Sequence, residues 1–222
     1  MMAHIGLDLD NTIIDYDAAF PRVGEAAGIL PPGHGLASKA AVKAHLLARE
    51  GGMAAWMRLQ GRVYGADIDA AVPFAGATAF IAAMLGCGHR VTIVSHKTRF
   101  GHFDESGTRL WDAARGWLRQ RRLLTNAPGG LRDEDVIFAE TRAAKLRWIA
   151  RLACDVFVDD LLVVLLHPDF PAGVKRLWFA GRDDGAAPPS PLEPHATWAE
   201  IANAVERYLN AREPSAGNRL TD

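Results

Sequence analysis

The run Asp8-Leu9-Asp10-Asn11-Thr12 sets two carboxylates two residues apart, directly after a short apolar stretch. Farther along, Ser95 closes a stretch rich in β-branched residues, Lys145 lies in a helix-like segment, and Asp159-Asp160 ends another apolar run. Carboxylates, a hydroxyl and a lysine in this combination suit phosphoryl transfer. A carboxylate can attack phosphorus and form an aspartyl-phosphate. A phosphoryl dianion repels that attack, so its charge has to be neutralised. Magnesium takes hard oxygen ligands, and clustered Asp residues supply them. A lysine, a hydroxyl and backbone N–H groups can hold the remaining phosphoryl oxygens. A second carboxylate two residues from the first can protonate a leaving oxygen and later activate water. Taken singly, each signal is weak, because an Asp at a strand end is often only a turn or cap residue. Their joint order along the chain gives them weight.

These residues need elements to bring them together. Residues 4–9, 90–95, 135–139, 155–158 and 174–179 are short apolar runs of the kind that form strands buried on both faces. Between and after them, residues 74–85, 108–123, 141–152 and 198–209 carry helical patterns, with Thr141 a candidate N-cap. Alternating strands and helices imply an α/β fold with a parallel sheet and right-handed crossovers. In such a sheet reactive groups collect at the carboxyl ends of the strands. Asp8, Asp10, Ser95, Asp159 and Asp160 fall at such ends, and Lys145 on a following helix. Residues 16–73 break the alternation. They read as helices, weakly at 20–27 and clearly at 38–49 and 54–64, with Pro31-Pro32-Gly33 as a separator. Residues 181–194 read as a long loop, and 211–222 as a disordered polar tail.

Composition bounds the partners. The 222 residues are 49% hydrophobic and 23% charged, an ordinary globular balance. A formal net charge of -1 offers no global positive field for a nucleic acid backbone. The cluster Arg119, Arg121 and Arg122 reads as a solvated helix end. Cys87 and Cys154 lack metal-type spacing, and free buried thiols in a reducing compartment are expected. A charged residue comes too early in MMAHIGLDLD for a signal peptide, and no apolar run approaches the roughly 18 to 20 residues that span a bilayer. The expectation is a cytoplasmic protein without nucleic acid or membrane partners.

The four motifs, in this order, resemble the haloacid dehalogenase superfamily over about residues 4–180. That resemblance implies a Rossmann-like three-layer core (1–15 and 74–210) with a small α-helical cap (16–73) inserted between the first two motifs. It implies Asp8 as nucleophile and Asp10 as general acid and base. Magnesium would be held by Asp8, by the backbone carbonyl of Asp10, and by Asp160 directly, with Asp159 behind it or acting through water. Ser95 and Lys145 would hold the phosphoryl group. The superfamily's true dehalogenases lack a carboxylate two residues after the nucleophile, so Asp10 argues for a phosphatase acting on a small phosphorylated metabolite, such as a sugar phosphate or nucleotide. A phosphotransferase or phosphomutase on the same intermediate, and a non-catalytic binding protein on this fold, are the alternatives. Candidates for substrate contact are His96 and Lys97, which follow Ser95, and Arg58, Arg62 and Tyr64 at helical spacing in the cap, with Gln60, Tyr16 and His102 as further candidates.

Overall fold

A computed structural model of the chain describes residues 2–102, 106–125, 127–181 and 191–212. The strands are β1 (His4–Leu7), β2 (Ile14–Asp15), β3 (Val72–Pro73), β4 (Arg90–His96), β5 (Val136–Ala139), β6 (Val156–Asp159), β7 (Lys175–Phe179) and β8 (Pro194–His195). Six of them form one sheet in the order β5-β4-β1-β6-β7-β8, with every neighbouring pair parallel. Strand β1 lies inside the sheet between β4 and β6, and all four of its residues are buried. Gly6 is required there: a Cβ at this position would lie 2.4 Å from the Phe157 ring of β6.

The alternation of side chains along each strand divides the core in two. Ile93, Val156, Val158, Leu177 and Phe179 join one apolar cluster, while their chain neighbours Val94, Phe157 and Trp178 join another on the opposite face. Helices α4 (Ala77–Gly86), α5 (Leu110–Gln120) and α8 (Trp198–Arg212) contribute to the first cluster, with Phe80, Trp117 and Trp198 among the side chains supplied. Helices α6 (Arg142–Leu152) and α7 (Leu162–Leu165) cover the second through Leu146, Ile149, Val164 and Leu165. The result is the expected three-layer α/β arrangement. Thr141 caps α6 as expected, accepting from the Ala144 N–H at 3.1 Å.

Three helices lie between β2 and β3: α1 (Ala19–Ala26), α2 (Lys39–Leu47) and α3 (Gly52–Tyr64). They pack on one another through Phe20 and Trp56, whose rings stack at 4.9 Å, and through the buried Val23, Val42, Leu46 and Leu59. Ser38 caps α2, its hydroxyl accepting from the Ala41 N–H at 3.1 Å. The short strands β2 and β3 pair antiparallel, Ile14 with Pro73 and Asp15 with Val72, and form a two-strand neck through which this insertion leaves and rejoins the sheet-bearing part.

Several expectations need correction. The neck, β8 and α7 do not stand out in the sequence; β8 starts at Pro194, the last residue of what reads as one long loop at 181–194, of which 182–190 lie outside the described residues. Cys87 is exposed at the C-terminus of α4; only Cys154 is the buried free thiol expected of both. Residues 213–222 of the expected disordered tail lie outside the described residues. Among the described residues, no helix is long and apolar enough to cross a membrane.

Candidate active site

Asp8 immediately follows β1, and its N–H donates to the Val158 carbonyl of β6, so the chain still runs in sheet register where the carboxylate begins. The next turn is fixed by Asn11, which adopts a left-handed conformation (φ 60°) that Asn tolerates better than most residues, and by the Asn11 N–H donating to the Ile14 carbonyl. This turn brings the Thr12 hydroxyl towards Asp8 and Asp160, at 3.5 and 3.4 Å, and buries it completely. The indole of Trp198 holds the Thr12 carbonyl from below at 3.1 Å.

Strand β6 ends at Asp159, and Asp160 follows. Asp8, Asp159 and Asp160 bring carboxylate oxygens within 4.8 Å of one another. Lys145 reaches up from α6 as a fully buried ammonium, 2.5 Å from Asp8 Oδ1 and 2.6 Å from Asp159 Oδ2. Lys145 thus contacts two of the three clustered carboxylates, Asp8 and Asp159. Burial raises the Asp8 carboxyl to about 7; Lys145 opposes the rise, and Asp159 and Asp10 add to it. Burial likewise pushes Asp160 well above the usual carboxylate range, with Asp159 and Asp8 reinforcing the shift. Lys145 shows the reverse balance. Burial alone would lower it, but Asp159 and Asp8 hold it above the ordinary lysine value.

Asp10 faces a different set of groups. Its Oδ1 accepts from the Tyr16 hydroxyl at 2.7 Å and its Oδ2 from Lys97 Nζ at 2.6 Å. Tyr16 is itself buried, and its ring meets Tyr64 edge-on at 4.6 Å. Lys97 lies 4.9 Å above the Tyr64 ring, and its carbonyl accepts from the Trp111 indole at 2.9 Å. On β4, Ser95 is buried and its hydroxyl has no hydrogen-bond partner among the described residues. Polar groups this deep are rarely left alone, and the exceptions often mark a ligand position.

The sequence candidates thus divide. Asp8, Asp159, Asp160 and Lys145 form one cluster, and Asp10, Lys97, Tyr16 and Tyr64 another. His96 turns away, because side chains alternate along β4: it is exposed, with its ring nitrogen 3.3 Å from the Glu140 carbonyl, while Ser95 and Lys97 are buried. Arg62 is taken by Asp67 at 2.8 Å, and Arg58 lies exposed on α3; among the described residues no contact joins either to the acidic cluster. Lys39 is the contributor that sequence reasoning missed. From the first turn of α2 its ammonium donates to Asn11 Oδ1 at 3.0 Å and to the Tyr64 hydroxyl at 3.1 Å. Its only sequence signal is the place next to Ser38, which marks a helix start and says nothing about reach.

No protein-family model matches the chain, and no curated protein matches it in sequence. Solved structures do match in fold. A haloacid dehalogenase family hydrolase from Deinococcus radiodurans R1, with bound phosphate and sodium, aligns at a TM-score of 0.58 and 17% identity, covering 93% of this chain and 96% of that one. The hydrolase YfnB from Bacillus subtilis, bound to magnesium, aligns at 0.57 and 13% identity, covering 92% and 98%. A haloacid dehalogenase-like hydrolase from Xanthomonas campestris aligns at 0.51 and 16%, covering 93% and 96%. The parallel sheet, its connections and these alignments over most of both chains give this protein the fold of the haloacid dehalogenase superfamily hydrolases.

Proposed function

We propose that this chain is a magnesium-dependent phosphatase that hydrolyses a small phosphate monoester through an aspartyl-phosphate on Asp8. The observation that carries the reading is the charge imbalance at the strand ends, where three carboxylates meet with Lys145 as the ammonium in contact. Such a cluster is costly unless a cation joins it. The donor set fits magnesium. Its ligands are hard oxygens, and ligands of one ion with Mg–O bonds of roughly 2.1 Å lie about 3 to 4 Å apart; the three carboxylates here offer oxygens that all lie within 4.8 Å of one another. The similar folds that hold magnesium in one case and phosphate in another support the same assignment.

In this reading Asp8 and Asp160 hold the ion directly, together with the backbone carbonyl of Asp10. Asp160 suits that role because, among the described residues, the contact to its carboxylate is the long one from Thr12 at 3.4 Å. Asp159 is already engaged by Lys145 and by the Leu161 N–H at 2.9 Å, which suits a supporting place behind the ion. When bound, magnesium would neutralise charge on the phosphoryl oxygens and on the carboxylates around it.

The protein's own groups then divide the work. An Asp8 oxygen attacks phosphorus, the phosphorus–oxygen ester bond breaks, and Asp10 hands a proton to the departing alcohol. In the second half Asp10 takes a proton from water as that water attacks phosphorus, releasing inorganic phosphate and restoring Asp8. Tyr16 and Lys97 each donate to one Asp10 oxygen, which fixes the carboxyl group in place. Lys145 shields Asp8 from the incoming anion, and the Ser95 hydroxyl, without a partner among the described residues, can donate to a phosphoryl oxygen. The insertion 16–73 would act as a cap over the core formed by 1–15 and 74–210, excluding water while the ester is broken.

The test is phosphate release by wild type and Asp8→Asn from a panel of phosphorylated metabolites, with and without magnesium. Release that needs both Asp8 and magnesium is expected. A folded wild type that releases no phosphate from any member of the panel, or an Asp8→Asn variant as active as wild type, overturns the reading.

A further inference from the structure

Three lysines surround the strand ends, and they are not equivalent. Lys145 bridges Asp8 and Asp159, and Lys97 is paired with Asp10. Lys39 has no carboxylate in contact with its ammonium among the described residues. Its partners are the neutral Asn11 amide and Tyr64 hydroxyl, and its ammonium also faces the rings of Phe20 and Tyr64 at 5.4 and 5.8 Å. Burial lowers its proton affinity, yet Tyr64 and the more distant Asp160 and Asp10 raise it overall, so it stays charged. A partly buried ammonium held by neutral oxygens keeps most of its capacity to bind an anion.

Its position says which part of a ligand it could meet. Lys39 contacts Asn11, the residue after Asp10, and shares Tyr64 with Lys97, which holds Asp10. Lys145 and Ser95, by contrast, belong to the sheet-bearing part, from α6 and β4. If Asp10 protonates the leaving oxygen, Lys39 stands on the leaving-group side of the ester. We propose that Lys39 binds a second anionic oxygen group carried by the leaving alcohol, so the favoured substrate is a phosphate monoester bearing a carboxylate or a further phosphate. This inference rests on the phosphatase reading for its orientation and extends it to a substrate class.

The experiment measures binding, so that it does not depend on turnover. Dissociation constants are determined by calorimetry, in magnesium, for phosphonoacetate and 3-phosphonopropionate against ethylphosphonate and propylphosphonate, with propane-1,3-bisphosphonate as the second-phosphate arm. Wild type is expected to bind at least one acid-bearing compound tenfold or more tighter than its alkyl counterpart. Lys39→Met is expected to erase that advantage, and Lys39→Arg to keep most of it. Which arm shows the advantage tells a carboxylate from a phosphate. Wild type binding acid-bearing and alkyl compounds alike, or binding none of them, overturns the inference. So does an advantage that survives in Lys39→Met, which would make Lys39 a latch between the insertion and the Asn11 turn, visible as a lower melting temperature. If Lys39→Met fails to fold, Lys39→Gln replaces it under the same criteria. Failure of the phosphatase reading looks different: no phosphate is released from any ester, whatever the phosphonate preference.

Discussion

Strand β4 carries two buried hydroxyls, Thr92 and Ser95, and they meet opposite fates. Thr92 lies 2.8 Å from Nε2 of the buried His4, whose Nδ1 lies 2.9 Å from the Leu152 carbonyl. Because a carbonyl can only accept, Nδ1 carries the proton and Nε2 accepts from Thr92. Nearby Asp155 accepts from the His4 N–H at 2.8 Å and pairs with Arg212. Every one of these polar groups is satisfied from within the chain. At the carboxyl edge Ser95 has no partner among the described residues, and Lys145 contacts two of three clustered carboxylates, Asp8 and Asp159. The first region satisfies its polar groups internally, and the second leaves the binding capacity that the proposed magnesium and phosphoryl group would use.

Asp8→Asn should break this contrast most strongly. Removing the proposed nucleophile should lower kcat by about 10³-fold or more. The same change removes one negative charge from the crowded cluster, so the magnesium-free variant should melt higher than wild type. Parallel kinetics and melting curves check both signs, and a variant that melts markedly lower would deny that the cluster is overcharged.

Magnesium should stabilise wild type by about 2.7 kcal/mol at a hundred times its dissociation constant, and the effect should depend on pH. The folded Asp8 carboxyl sits at about 7 against an ordinary 3.8, and Asp160 is shifted the same way. Folded protein therefore binds more protons than unfolded protein between those limits, and the metal-free cluster loses stability as pH rises through that window. At pH 5 the ion must displace those protons, while at pH 8 it need not, so the rise in melting temperature should be larger at pH 8. The amino edge has the opposite slope. His4 is held below its ordinary 6.5, chiefly by burial, so its contribution is full above 6.5 and is lost as pH falls below it.

The two hydroxyls sharpen the comparison further. Ser95→Ala should lower kcat by about 10² to 10³-fold while leaving stability near that of wild type, since no hydrogen bond to a described residue is lost. Thr92→Val should do the reverse, costing about 1 to 3 kcal/mol by leaving His4 Nε2 unpaired, with kinetics unchanged. Denaturant titration and steady-state rates on the two variants would separate the regions within a single strand.

Much of this was legible in the sequence because the signals are local. Apolar runs ending in Asp8, Ser95 and Asp159-Asp160 mark strand ends, and Thr141 marks the start of the helix that delivers Lys145. What escaped depends on side-chain geometry or on distant partners. The neck joins Ile14–Asp15 to Val72–Pro73, strands too short to show a period. Arg62 looks available until its chain neighbour Asp67 takes it, and His96 looks central until the strand's alternation turns it outward. Lys39 resembles any surface lysine, and only the packing of α2 against α1 and α3 brings it over Asn11.

The most direct test of the account is the covalent intermediate. Wild type and Asp8→Asn are mixed with 4-nitrophenyl phosphate and magnesium, quenched with acid within a single turnover, digested and weighed by mass spectrometry. The account predicts a peptide containing Asp8 that carries one added phosphoryl group in wild type and none in the variant. Phosphate released with no phosphoryl group on Asp8, or released equally by the variant, would contradict it.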